Sequence, residues 1–148
     1  METNQVVAAL QREQASALVL YLNYKKYHWL TFGPNFRDLH LLFEEHGTQV
    51  LESIDELAER ALMIDAKPIA DPAQYLPASF VSPSQGDKAV RQMVEEATSA
   101  HDKVIAEMHK DAETATRAGD IGTADLFTRL VQQHQKQRWF LREILRRD

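Results

Sequence analysis

The chain has 148 residues, 44% of them hydrophobic and 26% charged, the balance of one folded domain rather than a disordered chain. A formal net charge of −5 argues against nucleic acid as the main partner, because phosphate neutralisation needs clustered Lys and Arg. Cysteine is absent, which removes disulfides, thiolate nucleophiles and cysteine zinc sites. Val7, Leu10, Ala17, Leu18, Tyr21, Tyr24 and His28 recur at threes and fours, predicting a first helix over about residues 4–31 that Gly33-Pro34 ends. Asn35 is placed to cap a second helix, with Asp38 complementing its dipole; this helix runs to about residue 65 and stops at Lys67-Pro68. A proline-rich connection follows over about 66–86, and Asp71-Pro72 opens a short helix within it that ends at Pro77. A third helix is expected over about 87–117. Gly119 breaks it, and Asp120 or Thr123 caps a fourth that ends near Arg146.

Four helices of nearly 30 residues are each about 40 Å long. Their linkers run short, long, short. One long crossover between two helical hairpins predicts a single all-α domain over residues 1–148, a ferritin-like four-helix bundle with a short extra helix in its long connection. No apolar run approaches the ~20 residues that span a bilayer. The N-terminal stretch METNQVVAALQREQ has neither a basic n-region nor a long apolar segment, so a cytoplasmic protein without a membrane partner is expected.

The second helix carries two stripes. At ~100° per residue, Leu39, Leu42, Phe43, Val50, Ile54, Leu57, Ala61 and Ile64 fall on one broad side and form the core face. His40, Glu44, Thr48, Leu51, Asp55 and Glu59 fall on the other. The plain alternative for this second stripe is a solvated face with ordinary charges. However, a histidine and three acids with no basic partner on the same stripe repel one another unless a cation sits among them. Arg37 lies a turn outside the set.

One ion cannot be held by both pairs within one chain, because residues 44 and 55 are ~16 Å apart along the helix. An antiparallel second copy, with its twofold axis near residues 49–50, sets His40 opposite Glu59 and Glu44 opposite Asp55 of that copy. Gly47 and Thr48 are small enough for close approach there, and Leu51 supplies an otherwise exposed apolar contact. Mixed imidazole and carboxylate ligands suit Fe(II), Mn(II) or Zn(II) rather than Ca(II). A di-iron site inside the bundle needs Glu-x-x-His pairs, and no histidine here has a glutamate three residues before it.

The segment KKYHWLTFGPNFRDLHLLFEEHGTQVLESIDELAER resembles the signature region of the Dps family of mini-ferritins (DNA-binding proteins from starved cells). Helix lengths, the helix in the central connection and a GD–TAD turn before the last helix extend the resemblance over the whole chain. It implies an intersubunit ferroxidase centre. The histidine of Y-H-W is His28 and that of L-H is His40; Glu44 takes the position of a usual aspartate, and Asp55 and Glu59 come from the second subunit. The longer Glu44 side chain is the departure from the family pattern. The resemblance further implies a hollow homododecamer that oxidises Fe(II), preferentially with hydrogen peroxide, and stores Fe(III) mineral. Trp29 would donate electrons and quench radicals, or serve simply as a packed interfacial aromatic. Asp120 and Asp125 would line threefold pores; Asp120 could equally be only a helix cap, and Arg129 could pair with Asp125.

DNA binding is expected to be absent or weak, since the N-terminal segment has no Lys-rich tail and Arg138, Arg142, Arg146 and Arg147 mostly offset a helix dipole. Two alternative functions remain: a DNA-compacting structural protein, and a Zn(II)- or Mn(II)-binding bundle without redox turnover. His46 falls on the core face and is expected to be a hydrogen-bonded core residue. His101, His109 and His134 have no partner that spacing identifies, so surface or packing roles are expected. Trp139 and Phe140 are expected in the core.

Overall fold

The computed structural model describes residues 2–148, all as helices and connections. Helix α1 spans Glu2–Leu30, α2 Phe36–Met63, α3 Pro72–Ala78, α4 Val90–Arg117 and α5 Ile121–Leu145. Helices α1 and α2 form one hairpin and α4 and α5 the other. The hairpins meet mainly along α1 and α4, and α3 lies against α1. This is the ferritin-like four-helix bundle expected from the spacing of the helices. Among the described residues no helix is long and apolar enough to cross a membrane.

Two helix ends show how the hairpins stop. Asp120 N–H reaches Ala115 O (2.9 Å) and Gly119 N–H reaches Thr116 O (3.0 Å), a Schellman ending with Gly119 at positive φ. At the end of α2, Ala66 N–H reaches Ala61 O (2.9 Å) and Asp65 N–H reaches Leu62 O (3.0 Å). The same motif is therefore built on Asp65 at φ 61°, so α2 ends before Lys67-Pro68. Asn35 and Asp71 sit at the N-cap positions of α2 and α3 without a side-chain cap bond, whereas Asp120 caps α5 by accepting from Thr123 N–H at 3.0 Å.

Buried amides of α1 hold the long crossover in place. Gln14 Nε2 donates to Ile69 O (2.7 Å) and its Oε1 accepts from Ile69 N–H (3.0 Å). Asn23 does the same a little over two turns later, donating to Ser82 O (3.0 Å) and accepting from Ser84 N–H (2.8 Å). These two side chains, themselves buried, give the crossover backbone its partners and pin it to α1. Gly47 serves the same hairpin rather than a twofold contact. It is buried, and a Cβ there would lie 3.3 Å from Tyr24 Cβ, so glycine lets α2 close on α1.

Leu39, Phe43, Val50, Leu57 and Ala61 of α2 are buried, with Leu42, Ile54 and Ile64 packed at the margin, as the periodicity predicts. Helices α2 and α5 have few backbone approaches, and polar side chains fill the space between them. Gln137 Nε2 donates to His46 O (3.2 Å) and Gln49 Oε1 (2.9 Å). Trp139 is not in the core: it is 57% exposed, with Phe140 half-buried beside it. Its position on α5 lies beyond the flank that α4 covers, so aromatic character alone misplaced it.

Candidate metal centre

The short Gly33-Pro34 turn folds α2 back so that the last turn of α1 meets the first turns of α2. His28 and His40 meet there. His28 Nδ1 donates to His40 O and His40 Nδ1 donates to His28 O, each at 2.7 Å. A carbonyl only accepts, so both Nδ1 atoms carry hydrogen and both Nε2 atoms present a lone pair when the rings are neutral. The rings stack 3.8 Å apart and Phe36 stacks on His40. This reciprocal anchoring fixes orientation and tautomer, the outer-shell arrangement that metal-binding histidines need.

Glu44 lies one turn beyond His40, with Oε2 3.1 Å from His28 Nε2. A lone pair facing a carboxylate oxygen at that distance is repulsive unless a proton or another cation lies between them. One cation is already near: Lys25 Nζ reaches both Glu44 oxygens, at 2.7 and 2.8 Å. The ammonium holds the Glu44 carboxyl below its usual range, and Glu44 raises Lys25 in turn. The second helix supplies no basic partner, but α1 does. Lys25 stands three residues before His28, hence on the same side of α1, a spacing that could have shown it.

Asp55 and Glu59 are exposed farther along α2. Among the described residues neither has a basic partner within ion-pair distance. Hydrogen bonding to Asp55, then repulsion from it, raises Glu59 above the ordinary carboxylate range. The pair therefore favours a proton or a cation. Beside it, an open groove of about 630 Å³ is lined by Leu51, Ile54, Asp55, Ile69 and Tyr75. One chain brings His28, His40 and Glu44 together but leaves Asp55 and Glu59 remote. Among the described residues no three His, Asp or Glu side chains close a complete metal site within the chain.

The remaining candidates divide. Trp29 follows His28 and is 67% exposed. Asp120 is tied by its cap bond and by Arg60 at 2.8 Å, and these partners hold its carboxyl low against the opposing effect of burial. Asp125 is exposed; Arg129 pairs with Glu56 instead of with it. His109 is exposed.

His46, His101 and His134 are buried and joined through a phenol. Tyr24 Oη lies 2.5 Å from His101 Nε2 and 3.2 Å from His46 Nδ1, and His101 Nδ1 lies 2.9 Å from His134 Nδ1. This chain crosses all four long helices. Burial pushes His46 and His134 down to about 4 and depresses His101 as well, so all three are neutral at pH 7. Periodicity places His46 on the core face of α2, but spacing left His101 and His134 between surface and packing roles; that the three meet at Tyr24 depends on packing between helices.

A family model of the ferritin-like domain matches residues 7–148. DNA protection during starvation protein 2 of Bacillus anthracis is 33% identical over 141 residues, covering 95% of this chain and 97% of its own. DNA protection during starvation protein 1 of Deinococcus radiodurans is 34% identical, covering 97% of this chain and 70% of its own. Among solved structures, Dps from Thermosynechococcus elongatus superposes with a TM-score of 0.98 at 64% identity, over 99% of this chain and 94% of the other. Dps from Vibrio cholerae O1, described as one of a broad superfamily of ferritin-like diiron-carboxylate proteins, superposes at 0.93 with 29% identity, over 98% and 91%. Matches of this extent, on a bundle with this connection, place the chain in the Dps family of ferritin-like proteins.

Proposed function

We propose that the protein is a ferroxidase that oxidises Fe(II), preferentially with hydrogen peroxide, and stores the Fe(III) product inside a hollow homododecamer. The observation that carries this reading is the anchored histidine pair: two Nδ1–H groups held by carbonyls and two Nε2 atoms left to face a cation beside Glu44. Imidazole and carboxylate together fit Fe(II), and added carboxylates stabilise Fe(III) as it forms. The description of the Vibrio cholerae relative as a diiron-carboxylate protein agrees.

In this reading each centre spans two subunits. His28, His40 and Glu44 come from one, and Asp55 and Glu59 from its twofold mate. The open groove beside Leu51 and Asp55 gives the second helix room to lie there. Lys25 keeps Glu44 neutralised until the metal displaces it. Two Fe(II) ions supply the two electrons that convert peroxide to water, so no hydroxyl radical is released. Trp29 stands at the rim, Asp125 is a pore acid, and the protein works in the cytoplasm. Asp120 is a cap first, since Arg60 already offsets its charge.

The test is anaerobic Fe(II) addition, then peroxide or dioxygen separately, with Fe(III) absorbance followed in the native chain and in Asp55→Ala with Glu59→Ala. Fast peroxide-driven oxidation, lost in the double variant while assembly persists, supports the reading. Oxidation no faster than in buffer overturns it. Tight Zn(II) or Mn(II) binding in that case would identify a centre without turnover, and salt-sensitive DNA retention without iron chemistry would identify a structural protein.

A further inference from the structure

Two arginines share a groove with the acids that no base neutralises, and each is committed to a different acid. The groove, about 280 Å³, lies between α2 and α5 and is lined by Asp55, Glu59 and Asp125 together with Arg60 and Arg129. Arg60 is held at the start of α5, where its guanidinium donates to Asp120 Oδ1 at 2.8 Å and to Thr123 Oγ1 at 2.9 Å. It lies flat there because Gly122 has no side chain: a Cβ at that position would stand 2.5 Å from the guanidinium.

Arg129 has a nearer choice that it does not take. Asp125 stands four residues before it on α5, and an acid one turn ahead of a base is the favoured order for an ion pair along a helix. Arg129 instead crosses the groove and pairs with Glu56 of α2. Glu56 in turn has Arg60 four residues ahead on its own helix, but with Arg60 seated over Gly122 it binds Arg129. Both arginines thus bridge α2 to α5 rather than pair along one helix. Among the described residues Asp125 is left without a basic partner, on the same groove as the unpaired Asp55 and Glu59.

We propose that Glu56 is a positioning residue for iron supply: by holding Arg129 across the groove it keeps a guanidinium off Asp125. This rests on the reading of the chain as a ferroxidase with Asp125 as an entry acid. A cleft lined by charge of one sign concentrates its counter-ions, so Fe(II) reaching Asp125 meets a negative wall that also carries Asp55 and Glu59. Without Glu56, Arg129 folds back one turn onto Asp125, and the arriving cation meets a closed ion pair. Glu56 acts through Arg129 and does not bind the metal.

The test follows Fe(III) absorbance in the assembled protein after peroxide, over a range of Fe(II) concentrations at low and high salt. Glu56→Gln should slow Fe(III) formation about two- to fivefold at low Fe(II) and low salt, as expected for an exposed charge pair. The maximal rate should stay, the half-saturating Fe(II) concentration should rise, and salt should narrow the difference. Adding Arg129→Gln to Glu56→Gln leaves α2 and α5 without this bridge, yet should restore the native rate. Asp125→Asn should slow the native chain by a similar factor and add nothing to Glu56→Gln, because Asp125 is already covered there. A crystal structure of Glu56→Gln should show Arg129 on Asp125. An unchanged rate in Glu56→Gln, a double variant as slow as the single one, additive losses with Asp125→Asn, or Arg129 away from Asp125 overturns the assignment and leaves the ferroxidase reading intact. A native chain that forms Fe(III) no faster than buffer overturns both.

Discussion

Two groups of histidines in this bundle differ in a single respect that decides their chemistry. In His28 and His40 one ring nitrogen is tied to a carbonyl and the other is left free at the surface of the hairpin. In His101 both ring nitrogens are consumed, one by Tyr24 and one by His134, inside the core. His46 and His134 complete that network from either end. A histidine that keeps a lone pair facing a carboxylate attracts a cation; one spent on its neighbours keeps the core uncharged. Histidine content alone does not separate these cases, since both groups sit on long helices.

The largest expected effect divides the two groups. His40→Ala removes one Nε2 and the ring stacked on His28, while the His40 carbonyl that anchors His28 Nδ1 stays, so Fe(III) formation should fall by more than the ~10–100-fold that outer-shell changes cost. Its thermal midpoint should move little. His101→Ala should do the reverse, lowering stability by roughly 2–4 kcal/mol through a cavity and an orphaned phenol, with Fe(II) stoichiometry unchanged. Parallel titration and thermal unfolding of both variants check this. Equal behaviour of the two would erase the distinction.

Acid sharpens the contrast. His46 and His134 have folded values of about 4 against about 6.5 when unfolded. The unfolded chain therefore binds more protons between these limits. The stability due to neutral burial is fully present above pH ~6.5 and is lost as pH falls towards 4. Each ring accounts for up to about 3 kcal/mol at the lower limit. The midpoint of thermal unfolding should drop steadily over that window, and a flat profile would mean that these rings are hydrated.

Smaller effects probe the surroundings. Asp120→Ala removes the cap of α5 and the partner of Arg60, and should cost about 1 kcal/mol in denaturant unfolding with the iron rate retained. Lys25→Met frees Glu44 from its ammonium and should tighten Zn(II) binding by roughly two- to fivefold, as for other exposed pairs. Isothermal titration would show it; weaker binding in the variant would make Lys25 a support of the centre rather than a competitor.

Much of this was legible in the residues. Periodicities near 3.6, the Gly33-Pro34 and Gly119 breaks and the long proline-rich connection determined four long helices and their linkage. The spacing of His40, Glu44, Asp55 and Glu59 set one polar stripe against the core face of α2. Those features are local, or repeat along one helix, and side-chain direction follows directly from position. What lay between helices was decided only by tertiary packing. Lys25 reaches Glu44 because α1 and α2 close at Gly47, and Tyr24 gathers His46 and His101 because three helices present them at one level of the core. Trp139 went the other way, an aromatic residue left exposed because no helix covers its side of α5. A sequence gives the face on which a residue lies, but the partner across the gap depends on the rotation and height of a second helix, which only the folded bundle sets.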